Sequence, residues 1–250
     1  MKTSFLALIA SLLFVSSPAD AKITKVVYTQ SPDAYSIEYE EIVKDLYLEY
    51  DEAGRLVKAD SEAYAWMSLF APDIIYSNLI EGVDEYEYEG DSDLPARVTR
   101  TDYNGVLRFT VDYLYDDEGR TLEEHYKNWN GNEIDSVYTY ENKDGYDYMY
   151  VERTDGESVS NYRFRYYESN GQLKEWKFTE KVGKLNIRRD AEVIYDAHGR
   201  IQHIIRSTPN LTLESSWTFK FQYDGDTGNL SRITYTHPFE GTGYILEFEY

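Results

Sequence analysis

The sequence of 250 residues contains no cysteine. That excludes disulfides, thiolate metal sites and a thiol nucleophile. It also excludes the cysteine-linked lipid of bacterial lipoproteins. Basic residues are scarce, 25 Lys and Arg against 46 Asp and Glu, for a net charge of −21. Such a charge keeps a chain soluble and repels phosphate backbones, which argues against a nucleic-acid partner. There are four histidines, His125, His198, His203 and His237. None has the His-x-x-x-His spacing of a helical zinc site. Gly-x-Ser-x-Gly, a phosphate loop and a dinucleotide fingerprint are all missing. Any two carboxylates could be read as a glycosidase pair, but with 46 of them the coincidence carries no weight. Asp224-Gly225-Asp226-Thr227-Gly228-Asn229 slightly resembles an oxygen-rich calcium loop. It lacks the closing Glu, and a solvated hairpin turn explains it equally well. The sequence therefore leads us to expect no catalytic residues, no metal and no cofactor.

Beyond residue 21 there is no apolar run of membrane-spanning length. The one long run, Phe5 to Val15, follows Lys2 and precedes Ala19-Asp20-Ala21. That order is a secretory signal peptide, residues 1–21, with cleavage expected before Lys22. The run is about half of the ~20 residues that a spanning helix needs. An exported protein is expected, in the periplasm, at the cell surface or in the medium, with residues 22–250 as a single domain.

What the chain does have is a repeat. Tyr50-Asp-Glu-Ala-Gly54-Arg-Leu56, Tyr115-Asp-Asp-Glu-Gly119-Arg-Thr-Leu122, Tyr167-Glu-Ser-Asn-Gly171-Gln-Leu173, Tyr195-Asp-Ala-His-Gly199-Arg-Ile201 and Tyr223-Asp-Gly-Asp-Thr-Gly228-Asn-Leu230 are alike. Tyr140 opens a weaker copy, and Tyr88 marks a degenerate one. From Tyr88 onward these tyrosines are 27, 25, 27, 28 and 28 residues apart. Between them runs a second glycine series, Gly105, Gly131, Gly156 and Gly183. A turn thus comes about every 13 residues.

Before the turns, residues alternate strictly. Phe219, Phe221 and Tyr223 oppose Thr218, Lys220 and Gln222, and Tyr162, Phe164 and Tyr166 oppose Arg163 and Arg165. Period two in aromatic and β-branched residues means half-buried strands. Gly supplies the positive φ that the Asp/Asn-rich turns need, so Gly119, Gly171 and Gly199 are expected in left-handed conformations. Asn104-Gly105 and Asn130-Gly131 are tight-hairpin signals. Short turns join only antiparallel neighbours. The fold class is therefore all-β, a single antiparallel meander of long hairpins, about 27 residues per two strands, curled into a barrel-like sheet.

The Tyr-Asp-x-x-Gly-Arg-Leu units resemble the YD repeat of RHS-type proteins. Short secreted chains of this kind are also similar to bacterial domains of unknown function with a porin-like fold. The resemblance covers residues 46 to 235. It implies a β-meander curling into a barrel and brings no chemistry with it. The RHS role, a shell around a toxin, does not carry over to a chain this short.

One region breaks the repeat. Ala63, Trp66, Met67 and Phe70 form one stripe of a helix, stopped by Pro72. A short helix is expected over residues 62–70, as a lid on one end of the core rather than a plug or gate.

The 26 tyrosines are the most unusual feature of composition. Tyrosine suits sugar stacking, but a tyrosine that recurs once per unit reads as the repeat's own core. A ligand surface is expected instead at aromatics that break the repeat: Trp129 at a hairpin tip first, then Trp66, and Trp176 and Trp217 if solvent reaches them. Three classes follow in order. The first is an exported, non-catalytic binding or structural protein of the cell envelope, with a polysaccharide or an envelope protein as partner. The second is an outer-membrane barrel. The C-terminal alternation of Tyr244, Leu246, Phe248 and Tyr250 suits it, but Arg189 and Glu124 sit on the more apolar faces of their strands. Lys and Arg at the membrane midplane cost roughly 2–4 kcal/mol, and Glu somewhat less, so insertion is disfavoured. A secreted hydrolase is third.

Overall fold

Alternating aromatic and β-branched residues pack well on a pleated surface, and most of the described residues are in strands. The structure, a computed structural model, describes residues 23–31, 42–61, 82–182, 185–209, 216–236 and 243–250. The expected signal peptide at residues 1–21 and the expected helix at residues 62–70, with Trp66, lie outside the described residues. Among the described residues there are sixteen strands: β1 (Lys25–Ser31), β2 (Ile42–Tyr50), β3 (Leu56–Ser61), β4 (Gly82–Tyr88), β5 (Pro95–Thr101), β6 (Leu107–Tyr115), β7 (Thr121–Asn128), β8 (Glu133–Lys143), β9 (Tyr146–Asp155), β10 (Ser158–Tyr167), β11 (Leu173–Val182), β12 (Leu185–Tyr195), β13 (Ile201–Ser207), β14 (Ser216–Tyr223), β15 (Leu230–Thr236) and β16 (Gly243–Glu249). Each pairs antiparallel with its sequence neighbours, as the meander requires. β1 also pairs with β16, Val26 opposite Phe248, and closes the sheet into a barrel without a free edge.

One face of the closed sheet is buried and the other is wet. On β10, Tyr162, Phe164 and Tyr166 are buried while Arg163 and Arg165 point outward. A round sixteen-stranded barrel would leave a wide channel. Here buried side chains from Leu48 and Ala59 round to Phe219, Ile233 and Leu246 form one continuous cluster, so the interior is filled. A smaller cluster of Val98, Phe109, Val111, Tyr113, Tyr126 and Ile134 lies under β5 to β8.

The repeat motif has a physical explanation. In the turn Asp196 to Arg200, Asp196 Oδ1 accepts the N–H groups of His198 and Arg200, and Oδ2 accepts Arg200 Nε at 2.9 Å. Asp116 and Asp51 hold their arginines in the same way. Gly54, Gly119 and Gly199 complete these loops at φ between +76° and +82°. Each arginine then lies over the tyrosine of the next unit: Arg55 over Tyr88 at 4.6 Å, Arg120 over Tyr140 at 4.9 Å, Arg200 over Tyr223 at 4.3 Å. Each of these tyrosines donates its hydroxyl to the carbonyl at the open end of its own hairpin. Tyr88 reaches Leu56, Tyr115 reaches Pro95, Tyr140 reaches Thr121, Tyr195 reaches Leu173 and Tyr223 reaches Ile201, all at 2.7 to 2.8 Å. Tyr50 and the terminal Tyr250 make the same bond at 2.9 Å.

The two Asn-Gly sites close tight antiparallel hairpins, as expected. They are three-residue loops rather than two-residue hairpins, because Asp102 and Asn128 hold them as Asp196 holds its own turn. Two-residue turns join β8 to β9 at Asp144-Gly145, where both residues have positive φ, 54° and 76°, and β9 to β10 at Gly156-Glu157.

Candidate functional site

The tryptophans singled out from sequence are scattered. Trp129 stands at the tip of the β7–β8 turn and is 60% exposed. Its backbone N–H donates to Arg108 O at 2.9 Å. Beside it the β5–β6 loop exposes Tyr103, Val106 and Leu107. Trp176 is corrected: it lies on the inward face of β11 in line with Phe178, 5% exposed, and belongs to the core. Trp217 lies on β14 opposite Arg206; its side chain is outside the described residues. The calcium-like loop is a turn closed on itself, with Asp224 Oδ1 accepting from the backbone N–H groups of Asp226 and Thr227 and from Thr227 Oγ1. Among the described residues no three His, Asp or Glu side chains gather to hold a metal.

A more coherent surface is formed where the repeat is disturbed. The two-residue turn at Asp144-Gly145 lets β8 and β9 run to their ends without an Asp-held loop. The β10–β11 turn is one residue longer than the Asp196 type: Tyr167 N–H reaches Gln172 O. Tyr166 therefore takes the inward place before the turn, opposite Leu173, as Tyr195 does opposite Ile201. Tyr167 is displaced onto the outer wall. β8 to β12 are 10 or 11 residues long, the longest strands described.

On β9 the inward places are filled by Met149 and Val151, so Tyr146, Tyr148 and Tyr150 face outward. They form a ladder, with ring centroids 6.4 Å apart from Tyr146 to Tyr148 and 6.0 Å from Tyr148 to Tyr150. Tyr167 extends it, 5.7 Å from Tyr146. Cations from β10 and β11 flank the rings. Arg165 and Lys174 each lie 4.7 Å from the Tyr146 ring, and Arg163 lies 5.9 Å from that of Tyr148. Lys174 Nζ donates to Tyr146 Oη at 2.9 Å and holds that phenol below its ordinary pKa. Arg163, Arg165 and Lys177 converge on Glu175, at 3.1, 3.0 and 3.8 Å. Arg188 pairs with Asp190. Two open troughs adjoin the ladder. One, of about 680 Å³, is lined by Val137, Thr139, Tyr150, Glu152, Lys177 and Arg188 among others. The other, of about 300 Å³, lies past Tyr148 towards Tyr140 and Asp147.

A second set of ionisable groups lies inside the barrel. Asp84 and Arg100 are buried together with Nη1 to Oδ2 at 3.5 Å. Glu124 is buried at 5% exposure, and its carboxyl is pushed up to about 7 by burial, against the pull of Tyr138 and Arg153. Both carboxylates point away from the outer wall.

The chain is similar in structure to two solved proteins. A porin-like protein from Bacteroides uniformis superposes with a TM-score of 0.52 at 16% sequence identity, over 91% of this chain and 96% of that one. A porin-like protein from Bacteroides vulgatus gives a TM-score of 0.54 at 14% identity, over 92% of this chain and 99% of that one. At these identities the likeness is one of fold, and it agrees with the porin-like architecture expected from the repeat. No protein-family profile matches the sequence, and no curated protein matches it.

Sequence reasoning treated the tyrosines as one population and missed the outer ladder. The signal was present in β9, where Tyr alternates with Met149 and Val151. Two aliphatic residues on the opposite face mark that face, not the tyrosine face, as the core side.

Proposed function

We propose that the protein is an exported, non-catalytic barrel of the cell envelope that binds a glycan on the outer wall of β9 to β12. The observation that carries this reading is the outward Tyr146–Tyr148–Tyr150 ladder with an open trough of about 680 Å³ running across it from β8 to β12. Tyrosine rings offer flat apolar faces to sugar C–H surfaces and hydroxyls at their rims. An open trough suits a polymer, which can lie along it. A compact ligand needs a pocket that encloses it. Export rests on the leader-like residues 1–21. A soluble rather than membrane-inserted barrel is supported by the direction of the side chains. A membrane barrel carries its apolar face outward and its polar face inward. This chain does the reverse, with Arg163, Arg165, Glu175, Lys177 and Arg188 on the outside of mid-wall strands.

Retention on columns of envelope polysaccharides tests the reading. Wild-type protein should be retarded, and Tyr148→Ala should elute earlier with an unchanged melting curve. Trp129→Ala should elute with wild type. If Tyr148→Ala is retained like wild type, the outer-wall site is wrong. If only Trp129→Ala is released, the hairpin tip is the binding surface.

A further inference from the structure

We infer that the polymer taken by this wall is an acidic polysaccharide whose carboxylates lie on the β10–β12 side of the tyrosine ladder; the inference rests on the outer-wall glycan reading. The chain as a whole has 46 acidic and 25 basic residues. The wall beside the ladder reverses that ratio. Arg163, Arg165, Lys174, Lys177 and Arg188 stand there with Glu152, Glu175, Asp190 and Glu192, five cations against four acids, a local surplus of one positive charge.

The surplus is not evenly spread. Arg188 is matched by Asp190. Three cations share the single carboxylate of Glu175. Lys174 is engaged with two phenol rings, a hydrogen bond to Tyr146 and a ring contact 5.4 Å from Tyr167. Neither phenol cancels its charge. A ligand carboxylate arriving at this side therefore meets donors whose charge the protein has not neutralised. Guanidinium forks match carboxylates in geometry as well as charge. Across the ladder, on β8, Glu141 accepts the Tyr150 hydroxyl at 3.2 Å and presents a negative charge. A polymer chain lying on the rings would have its charged edge drawn one way and repelled from the other. The wall thus fixes which edge of the sugar faces which strand.

Isothermal titration with polygalacturonate, alginate and hyaluronate, against methyl-esterified polygalacturonate and dextran, tests this. The ester keeps the sugar backbone and removes the charge. At least one acidic polymer should bind about tenfold more tightly than the neutral pair, and Lys177→Ala should weaken it by a further factor of roughly three to ten. Raising salt should lower the affinity for the acidic polymer only. Equal binding of acidic and neutral polymers would overturn the acidic class and leave the glycan wall standing. Absence of binding to all five would overturn both. Lys177→Ala indistinguishable from wild type on the acidic polymer would remove the charge-side assignment.

Discussion

Glu124→Gln should make the protein more stable above neutral pH and change it little in mild acid. Glu124 lies on the inner face of β7, paired across the sheet with Tyr113 and Ser136, and its carboxyl meets Tyr138 from β8 and Arg153 from β9. Burial penalises the charged form, and the two partners recover only part of that penalty. The carboxyl consequently titrates near 7 in the folded barrel, against 4.5 for the ordinary group. The folded state holds a proton that the unfolded state has released, so stability falls as pH rises from about 4.5 to 7. At about 1.4 kcal/mol per pH unit the full loss is about 3 kcal/mol. Gln is neutral at every pH and close in shape to the protonated acid. Urea unfolding at pH 5 and pH 8 should show the variant gaining about 3 kcal/mol over wild type at pH 8 and little at pH 5. A variant advantage that does not grow between the two pH values would refute the buried-carboxyl reasoning. Asp84 has the same sign, pushed up to about 6 by burial, so the Glu124→Gln variant should still lose some stability as pH rises through this range.

Four further outcomes are expected. Tyr195→Phe should cost roughly 1–3 kcal/mol in urea, because Leu173 O loses its donor; Tyr167→Phe, on the outer wall, should cost much less. Asp196→Ala should cost about 1–2 kcal/mol, by analogy with the loss of a helix cap, since the side chain satisfies two loop N–H groups and one guanidinium. Its carboxyl is held below the usual range, because hydrogen bonds outweigh burial, so its contribution should fade only in strong acid. Gly199→Ala should cost about 1 kcal/mol or more, with φ at +78° and a Cβ only 3.2 Å from Gln172 Nε2; a Tm equal to wild type would contradict the left-handed turn.

The strands and the meander were legible because one face of each strand is buried, and burial writes period two into the sequence. Gly119, Gly171 and Gly199 announced their turns because only glycine takes that backbone without strain, and all three have positive φ. The role of the repeat tyrosines was legible from their recurrence alone. Closure of β1 on β16 was not: Val26 and Phe248 meet across the length of the chain, and no local pattern marks such a pair. Turn length was also hidden. One extra residue between Tyr166 and Leu173 sends Tyr167 outward, while its sequence surroundings still look like those of Tyr195. Trp176 was misjudged for the opposite reason, since a rare large residue draws attention while its parity with Phe178 already placed it inside.

The ties between turns have a consequence for how such a barrel could arise. Seven pre-turn tyrosines bond to the open ends of their own hairpins, and Arg55, Arg120 and Arg200 each lie over the tyrosine of the next unit. No contact of this kind depends on a hairpin's rank in the order. A gene segment coding for one hairpin, copied in frame, would arrive carrying its tyrosine, its aspartate and its arginine together, and would find the matching halves already present on either side. The circumference can then change by two strands at a time. Ancestry by tandem duplication followed by drift would leave what this chain carries: a regular ring, with the outward tyrosine ladder set among hairpins whose copied turns were altered.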